Sequence, residues 1–317
     1  MQQTPSYTYL VTGGAGFIGS HMVSALLDGG HRVRVVDNFS TGKRENLPST
    51  ERLTLLVGDV ADPAAVEAAL EGCETLFHLA AVASVERSVR EPILTHRTNL
   101  DGSIRLFDRA ASLGVTRVLY ASSAAVYGDA TDLPLRESNP TRPLTPYAID
   151  KLAGEQYLAY YHRAGKLNAT AFRFFNVFGP RQDPSSPYSG VISIFMDRAR
   201  RGLPITVFGD GGQTRDFVFV SDVVAALLAA LDGAGGAPEM PVYNVGRGKS
   251  VTLLELLATI ERLQGTSGPL RVSHGPERRG DIRHSLADVT RLRSELGWAP
   301  AASLQDGLAA ILAEVAA

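Results

Sequence analysis

An α/β fold is predicted, with a doubly wound parallel sheet in the first half and a smaller mixed α/β lobe in the C-terminal part. Three observations carry it. Short β-branched runs alternate with amphipathic helical patterns from Tyr7 to Phe178, as βαβ units require. The strand candidates are near-continuous apolar runs, which fits strands covered on both faces. Between the first strand and the first helix lies a cluster of glycines.

YTYLVTG from Tyr7 reads as a strand and Ile18 to Gly29 as a helix closed by Gly29 and Gly30. RVRVVDN from Arg32 and LTLLVGDV from Leu53 are the next strands. Asp62 and Pro63 then start a helix through Leu70, an acid at the N-cap and a proline at the first helical position. TLFHLAA from Thr75 is a fourth strand, Ile93 to Leu113 a long helix ending at Gly114, and RVLYASS from Arg117 a fifth strand. A polar loop leads to a helix running past Lys151 to about Ala164, and NATAFRFFNVFG from Asn168 is a sixth strand. GPRQDPSSPYSG is rich in Pro, Ser and Gly and sets the expected boundary. Residues 1–178 form one domain with a returning segment near 216–245, and residues 179–317 form most of the second lobe.

The chain has 317 residues, 44% of them hydrophobic and 20% charged, with a net charge of −2. These are ordinary values for a globular protein and give no reason to expect nucleic acid or an anionic membrane as partner. A lone cysteine, Cys73, rules out an intrachain disulfide and thiolate metal clusters. None of the seven histidines pairs at the spacing of a helical metal motif, so no metal is expected. The first residues show no charged segment followed by an apolar one, and no stretch reaches the roughly 20 apolar residues of a membrane span. The expected location is the cytoplasm.

GGAGFIG holds Gly13, Gly16 and Gly19 between a strand and a helix. Glycines there allow close backbone approach, and the helix N-terminus offers free N–H groups to a pyrophosphate. The spacing is G-x-x-G-x-x-G, a variant of the classical Rossmann fingerprint. Asp37 ends the second strand 18 residues after Gly19, where a carboxylate accepts from ribose hydroxyls and repels a 2′-phosphate. NAD is therefore favoured over NADP. Farther on, Tyr147 and Lys151 are four residues apart, one helical turn on the same face. A phenol beside an ammonium, with Ser122 and Ser123 ending a strand nearby, suits proton exchange with a carbinol next to a nicotinamide.

These residues carry a family resemblance. GGAGFIG, the Asp37-Asn38 pair, Gly58-Asp59-Val60, HLAA at His78, SSAAVYG at Ser122 and YAIDK at Tyr147 resemble the extended short-chain dehydrogenases/reductases. RFFNVFGPRQDP at Arg173, GDGGQTRDFVFVSDV at Gly209, YNVG at Tyr243 and RRGDIRHSLAD at Arg278 resemble the nucleotide-sugar 4-epimerases within that family. The resemblance implies Tyr147 as acid/base, Lys151 as the cation beside it and a ligand of the nicotinamide ribose, and Ser123 on the sugar 4-oxygen. It implies a cofactor site of Gly13, Gly16, Phe17, Ile18, Gly19, Asp37, Asn38, Ser40, Gly42, Asp59, Val60, Ala80, Ala81, Asn99, Ser122, Tyr147, Lys151 and Phe174. Phe175 and Asn176 fall where the motif meets nicotinamide and sugar nucleotide. Arg215, Arg278 and Asp281 match residues that hold uridine diphosphate, and Phe217 an aromatic that closes on the nucleotide. Ser84 and Val191 complete the expected substrate contacts.

Dehydratases of this kind carry an Asp-Glu pair after the hydroxyl residue, and glucuronate decarboxylases keep a Glu at the second position. Here those positions are Ala124 and Ala125. The reaction the resemblance leaves is inversion at C4 of a UDP-hexose through a 4-keto intermediate. Ser285 matches a position where a bulky Tyr restricts some relatives to unsubstituted hexoses. A small residue there leaves room for an acetamido group, so UDP-GlcNAc/UDP-GalNAc is expected, with UDP-Glc/UDP-Gal alongside. The competing readings are a UDP-glucuronate 4-epimerase or another sugar-nucleotide oxidoreductase, with Ser84, Arg87 and Arg90 offering a loop that meets a C6 carboxylate, and a non-catalytic NAD-binding protein. The resemblance also implies a homodimer formed through the helix before Gly114 and the helix containing Tyr147.

Overall fold

The computed structural model describes residues 8–184, 190–232, 237–264, 269–277 and 282–316. The chain divides into two compact units. One holds the residues through Val126 with Pro143–Arg173 and Leu227–Tyr243; the other holds Tyr127–Arg142, Phe174–Ala226 and the chain from Asn244. The division thus falls a few residues before Gly179, and the returning segment is shorter than 216–245. The loop 127–142, which carries no compositional break, belongs with the second unit.

The first unit is built on a parallel sheet whose strands are β1 (Thr8–Thr12), β2 (Arg32–Asp37), β3 (Leu53–Val57), β4 (Thr75–His78), β5 (Arg117–Ser123), β6 (Asn168–Phe174) and, running on into the second unit, β10 (Val242–Val245). The spatial order is β10-β6-β5-β4-β1-β2-β3. The order reverses between β1 and β4, which pair in parallel with Thr12 opposite His78. In open α/β sheets such a switch point, at the C-terminal strand ends, is where a ligand binds. Helices α1 (Phe17–Asp28) and α2 (Pro63–Leu70) connect the first strands. Asp62 caps α2 by accepting from the Ala64 amide at 3.0 Å, with Pro63 at the first position. Leu10, Val36, Leu76, Phe107, Val118, Leu158 and Ala171 belong to the core beside the sheet.

Two sequence expectations change here. The segment after Ser84 is helical rather than a loop: α3 (Val85–Arg90) is capped by the Ser84 hydroxyl, which accepts from the Arg87 amide at 2.9 Å. The long helix before Gly114 begins at Pro92 as α4 (Pro92–His96), passes through a π turn at Arg97–Asp101 and continues as α5 (Gly102–Ser112). The next helix, α6 (Pro146–Arg163), starts at the Thr145 cap, with proline at its first position. No helix among the described residues is long and apolar enough to cross a membrane.

The second unit breaks the expected sixth strand. Past β6, the chain leaves at Phe175 and resumes as β7 (Asn176–Phe178) in another sheet. The Phe175 amide still donates to the Val245 carbonyl of β10 at 2.9 Å, so the chain leaves the first sheet just after this residue. β9 (Thr214–Phe219) pairs parallel with β7 and antiparallel with β11 (Ser250–Thr252), and β8 (Ile205–Phe208) pairs parallel with β12 (Val272–Gly275). Helices α7 (Val191–Arg200), α9 (Leu253–Gln264) and α11 (Leu304–Ala316) contribute Ile192, Phe195, Leu256, Ile260 and Leu308 to its core. Between them come α8 (Val220–Asp232), which runs into the first unit, and α10 (Thr290–Leu296).

Candidate active site

The glycine loop is shaped by close contact. Gly13 has φ +68°, and a Cβ there would lie 2.9 Å from the Ala80 Cα. A Cβ on Gly19 would meet the Gly13 carbonyl oxygen at 2.1 Å. Neither position admits another residue without moving backbone, so α1 starts hard against the end of β1. Its first-turn N–H groups, those of Phe17, Ile18 and Gly19, have no acceptor within the helix and carry the positive end of its dipole.

Asp37 is fixed beside this loop. Its Oδ2 accepts from the Ala15 amide at 2.9 Å and its Oδ1 from the Phe39 amide at 2.8 Å. A carboxylate offers about four lone-pair directions, so it keeps capacity for two further donors such as ribose hydroxyls. Gly42 packs against Ala15 and Asp37 so closely that a Cβ would clash. Asn38 accepts from the Ser40 amide at 3.0 Å and donates to Asp59 Oδ2 at 2.8 Å. Asp37, Asn38, Ser40, Gly42 and Asp59 therefore form one connected rim, and Val60 is buried beneath it. A tight glycine cradle, free helix N–H groups and a half-satisfied acid at the next strand end fit a dinucleotide such as NAD.

A buried relay that the sequence reading did not find holds the opposite rim. Thr12 Oγ1 accepts from the amides of Leu79 and Ala80, both at 3.1 Å, and lies 2.8 Å from His78 Nδ1. Burial, and then the Lys151 charge, lower the His78 pKa to about 3, so the ring is neutral. With both Thr12 lone pairs engaged, its hydroxyl donates to Nδ1. Nε2–H then donates to Ser103 Oγ at 2.8 Å, and Ser103 donates to the Asn99 carbonyl. Asn99, in the π turn, bonds both the amide and the carbonyl of Val82 at 2.8 and 3.1 Å. Ala80 and Ala81 are thus held at the switch point, whereas the Asn99 side chain faces protein partners rather than an open channel. The signal was the polar His78 inside an apolar strand.

Tyr147, Lys151 and Ser123 do come together. Tyr147 and Lys151 stand one turn apart on α6, with Nζ 5.9 Å from the Tyr147 ring centroid. Ser123 ends β5 near the phenol, whose pKa it lowers, and its hydroxyl accepts from the Ala125 amide at 3.2 Å. Lys151 is buried, donates to the Ala121 carbonyl at 2.7 Å and lies 5.0 Å over the Tyr120 ring. Burial lowers its pKa to about 8, against the raising pull of Asp150 and Glu155. Burial pushes the Tyr147 phenol up, and Ser123 opposes this only partly. The ammonium aims at Ala121 instead of the phenol oxygen.

Ser122, assigned by the resemblance to the cofactor site, has a protein partner. It is buried and its hydroxyl donates to Glu155 Oε1. Glu155 also accepts from Arg173 at 3.0 and 2.8 Å, an ion pair buried between α6 and the sheet. Arg173, a charge inside the apolar AFRFF run, was the sequence signal for it.

In the second unit, Arg215 is partly buried on β9 and donates to the Thr214 carbonyl at 2.9 Å. Its neighbour Asp216 is fully buried and accepts from the amides of Arg247, Gly248 and Ala287 at 2.6, 3.0 and 3.0 Å. One carboxylate thereby ties Arg215's strand to the segment that carries Ser285, which is partly buried. The Phe217 ring is 3% exposed and belongs to the unit's core, edge-on to Phe178 at 6.3 Å. Phe174 and Phe175 are buried, Asn176 is exposed on β7 and Val191 is partly buried at the start of α7. Arg278 and Asp281 lie outside the described residues. Among the described residues no cluster of His, Cys, Asp and Glu could hold a metal ion.

Known proteins share this architecture and these motifs. Residues 9–246 match the epimerase profile of the NAD dependent epimerase/dehydratase family. The UDP-glucose 4-epimerase of Mycolicibacterium smegmatis is 41% identical over 307 residues, covering 95% of this chain and 96% of that protein. The structure of UDP-N-acetylglucosamine 4-epimerase from Methanobrevibacter ruminantium M1, in complex with UDP-N-acetylmuramic acid, is 37% identical with a TM-score of 0.91 over 98% of this chain and 100% of that one. That of Thermus thermophilus UDP-glucose 4-epimerase in complex with NAD is 38% identical with a TM-score of 0.88 over 96% and 98%. With the profile matched over residues 9–246 and relatives 37–41% identical along nearly the whole chain, this chain belongs to the NAD dependent epimerase/dehydratase family.

Proposed function

We propose that the protein is a UDP-sugar 4-epimerase, accepting UDP-GlcNAc/UDP-GalNAc and also UDP-Glc/UDP-Gal. The observation that carries this reading is the junction of Ser123, Tyr147 and Lys151 followed by Ala124 and Ala125, with no acid on the turn that continues β5. Tyr147 accepts the proton of the 4-hydroxyl, and the Ser123 hydroxyl holds the same oxygen in line. When bound, NAD, the cofactor of this family, would supply the hydride acceptor and donor for C4, and the glycine cradle, Asp37 and Lys151 would hold it. On the turn after β5, Ala124 and Ala125 offer no carboxylate to remove a further proton or carbon dioxide from the resulting 4-ketone. Tyr147 therefore gives its proton back to the oxygen once the sugar has presented its other face. Lys151, cationic below about pH 8, favours the phenolate against the effect of burial and is assigned to the nicotinamide ribose. Arg215, Arg278 and Asp281 are assigned to the diphosphate and uridine, the guanidinium forks matching the charge they meet.

Incubating the purified protein with a panel of UDP-sugars without added NAD tests the reading. Interconversion of the C4 epimers of both hexose and acetamido-hexose substrates is expected. Turnover of UDP-glucuronate alone, or of none, overturns it. The uronate alternative finds little support in the segment that suggested it, because the Ser84 hydroxyl caps α3 and Arg87 pairs with Glu91 at 3.0 Å.

Substrate width rests on Ser285. Ser285→Tyr is expected to lower kcat/KM for the acetamido substrates by roughly 10- to 100-fold, the range set by steric discrimination in a pocket, with the plain hexoses little changed. Equal loss of both refutes the gate.

The proposed assembly is a homodimer. Val89, Ile93 and Leu94 before α5, and Ile149, Tyr157 and Tyr160 on α6, are exposed, Ile93 by 84%. A second copy would cover such a face. Sedimentation equilibrium is expected to give twice the monomer mass, and Ile93→Asp with Tyr160→Asp to halve it.

A further inference from the structure

Lys151 is a buried ammonium, and a buried charge needs a counter-charge. Two carboxylates act on it, Asp150 and Glu155. Glu155 is already matched: Arg173 donates to both of its oxygens and Ser122 to one. Asp150 is not matched in this way. It precedes Lys151 on α6 and is 2% exposed. Its Oδ1 accepts from His96 Nδ1 at 2.7 Å, and its Oδ2 is buried without a hydrogen-bond partner among the described residues. A carboxylate only accepts, so Nδ1 carries the hydrogen. The His96 ring is half-exposed, with Nε2 3.8 Å from Asp101. An acid buried with one oxygen unsatisfied is a costly arrangement, and the buried cation that acts on it is Lys151.

We propose that Asp150 and His96 form a positioning pair for Lys151: a buried carboxylate, oriented from the surface side by an imidazole, that balances the neighbouring ammonium. This inference rests on the reading of Lys151 given above. Other titratable groups stand on α6 and on the elements packed against it. From α6 come Tyr147 and Glu155; from β5, the Tyr120 phenol, which burial holds protonated; from β4, neutral His78; from the π turn, Asp101. On α3, Arg87 and Arg90 pair with Glu91, and on α5, Asp108 accepts from Tyr161 at 3.0 Å while Arg109 pairs with Glu67. Burial pushes the Asp150 carboxyl up, and His96 and Lys151 pull it back.

Removing a negative charge beside an ammonium disfavours the ammonium, so without Asp150 the lysine loses its proton at lower pH than the value of about 8 in the intact chain. Asp150→Asn keeps the volume and the acceptor for His96 while removing the charge. The Lys151 Cε–Hε signal in protein with isotope-labelled lysine, assigned with Lys151→Arg, reports the titration without any turnover. In Asp150→Asn the midpoint is expected to fall by roughly one pH unit or more, and the alkaline limb of kcat to move with it. His96→Ala is expected to move both in the same direction by less, and His96→Asn, which retains a donor, to restore them. An unmoved Lys151 midpoint in Asp150→Asn, or in His96→Ala should the first variant not fold, overturns the pair. A moved midpoint with an unmoved kcat profile upholds the pair and overturns the role assigned to Lys151 in the reaction.

Discussion

Replacing Tyr147 by phenylalanine is expected to lower kcat for UDP-sugar epimerisation by on the order of 10³-fold while leaving NAD bound, the upper part of the range for removing a general acid/base. The substitution takes away one oxygen and keeps the ring that packs on α6. Ser123, 24 residues earlier in the chain, can still donate to the sugar oxygen, but a serine hydroxyl has no accessible anionic form at neutral pH. Lys151 is a poor substitute base, since its ammonium is held by the Ala121 carbonyl. NAD retention follows from the separation of the two tasks: the glycine cradle and Asp37 belong to β1, α1 and β2, and none of the Asp37 hydrogen bonds involves Tyr147. Kinetics on a UDP-hexose, with the bound dinucleotide measured after denaturation, decide it. Unchanged turnover removes Tyr147 from the chemistry; loss of NAD together with turnover makes it a structural residue of the cofactor site.

The pH dependence of the intact protein carries the same logic. Burial raises the Tyr147 phenol above its ordinary value, so the fraction in the accepting form grows as pH rises. Lys151 loses its charge near pH 8, which withdraws the cation proposed to favour the phenolate. The two trends oppose each other on the alkaline side, and Asp150 sets where the second one begins.

What the sequence made legible was local. Asp62 followed by Pro63 announces a helix start because both act within one turn, and the glycines announce a cradle because each restricts its own backbone. The Tyr147–Lys151 spacing needed only a helix, and α6 supplies it. What escaped depended on distant partners. The packing of Phe217 against Phe178 follows from the pairing of β9 with β7, which the sequence does not announce. Ser122 and Ser123 are equivalent on paper; the alternation of side chains along β5 sends one to Glu155 and the other to Tyr147. Asn99 was legible as a residue near the cofactor loop, but its amide is engaged by Val82. The break at Phe175 has no proline or glycine to mark it; it follows from the pairing of β7 with β9 in the other sheet. The tuning of Lys151 lies in that second class, since His96 is 54 residues from Asp150.

The largest effect on stability is expected at Arg173. Its guanidinium forks onto Glu155, with side-chain exposures of 7% and 3%, and Glu155 accepts in turn from Ser122. Arg173→Met leaves a buried carboxylate with one neutral donor, and breaking a buried pair from one side costs about 3–5 kcal/mol. For a protein of this size that corresponds to a fall in Tm on the order of 10 °C. The double variant Arg173→Met with Glu155→Leu removes both charges, and replacing a buried pair by apolar groups is often close to neutral. Ser122 then lacks its acceptor, which leaves a residual cost of about 1–3 kcal/mol. The double variant is therefore expected to be more stable than Arg173→Met alone, a non-additivity that a double-mutant cycle measures directly. Its activity should not recover with its stability: the Ser122 hydroxyl is what registers the end of β5 against α6, and Ser123 inherits its direction from that end. Calorimetry on the four proteins, with kcat on the folded ones, separates the two contributions. Additive losses in Tm would mean that Glu155 finds another cation once Arg173 is gone, and Lys151, one helical turn away, would be the group to change its titration.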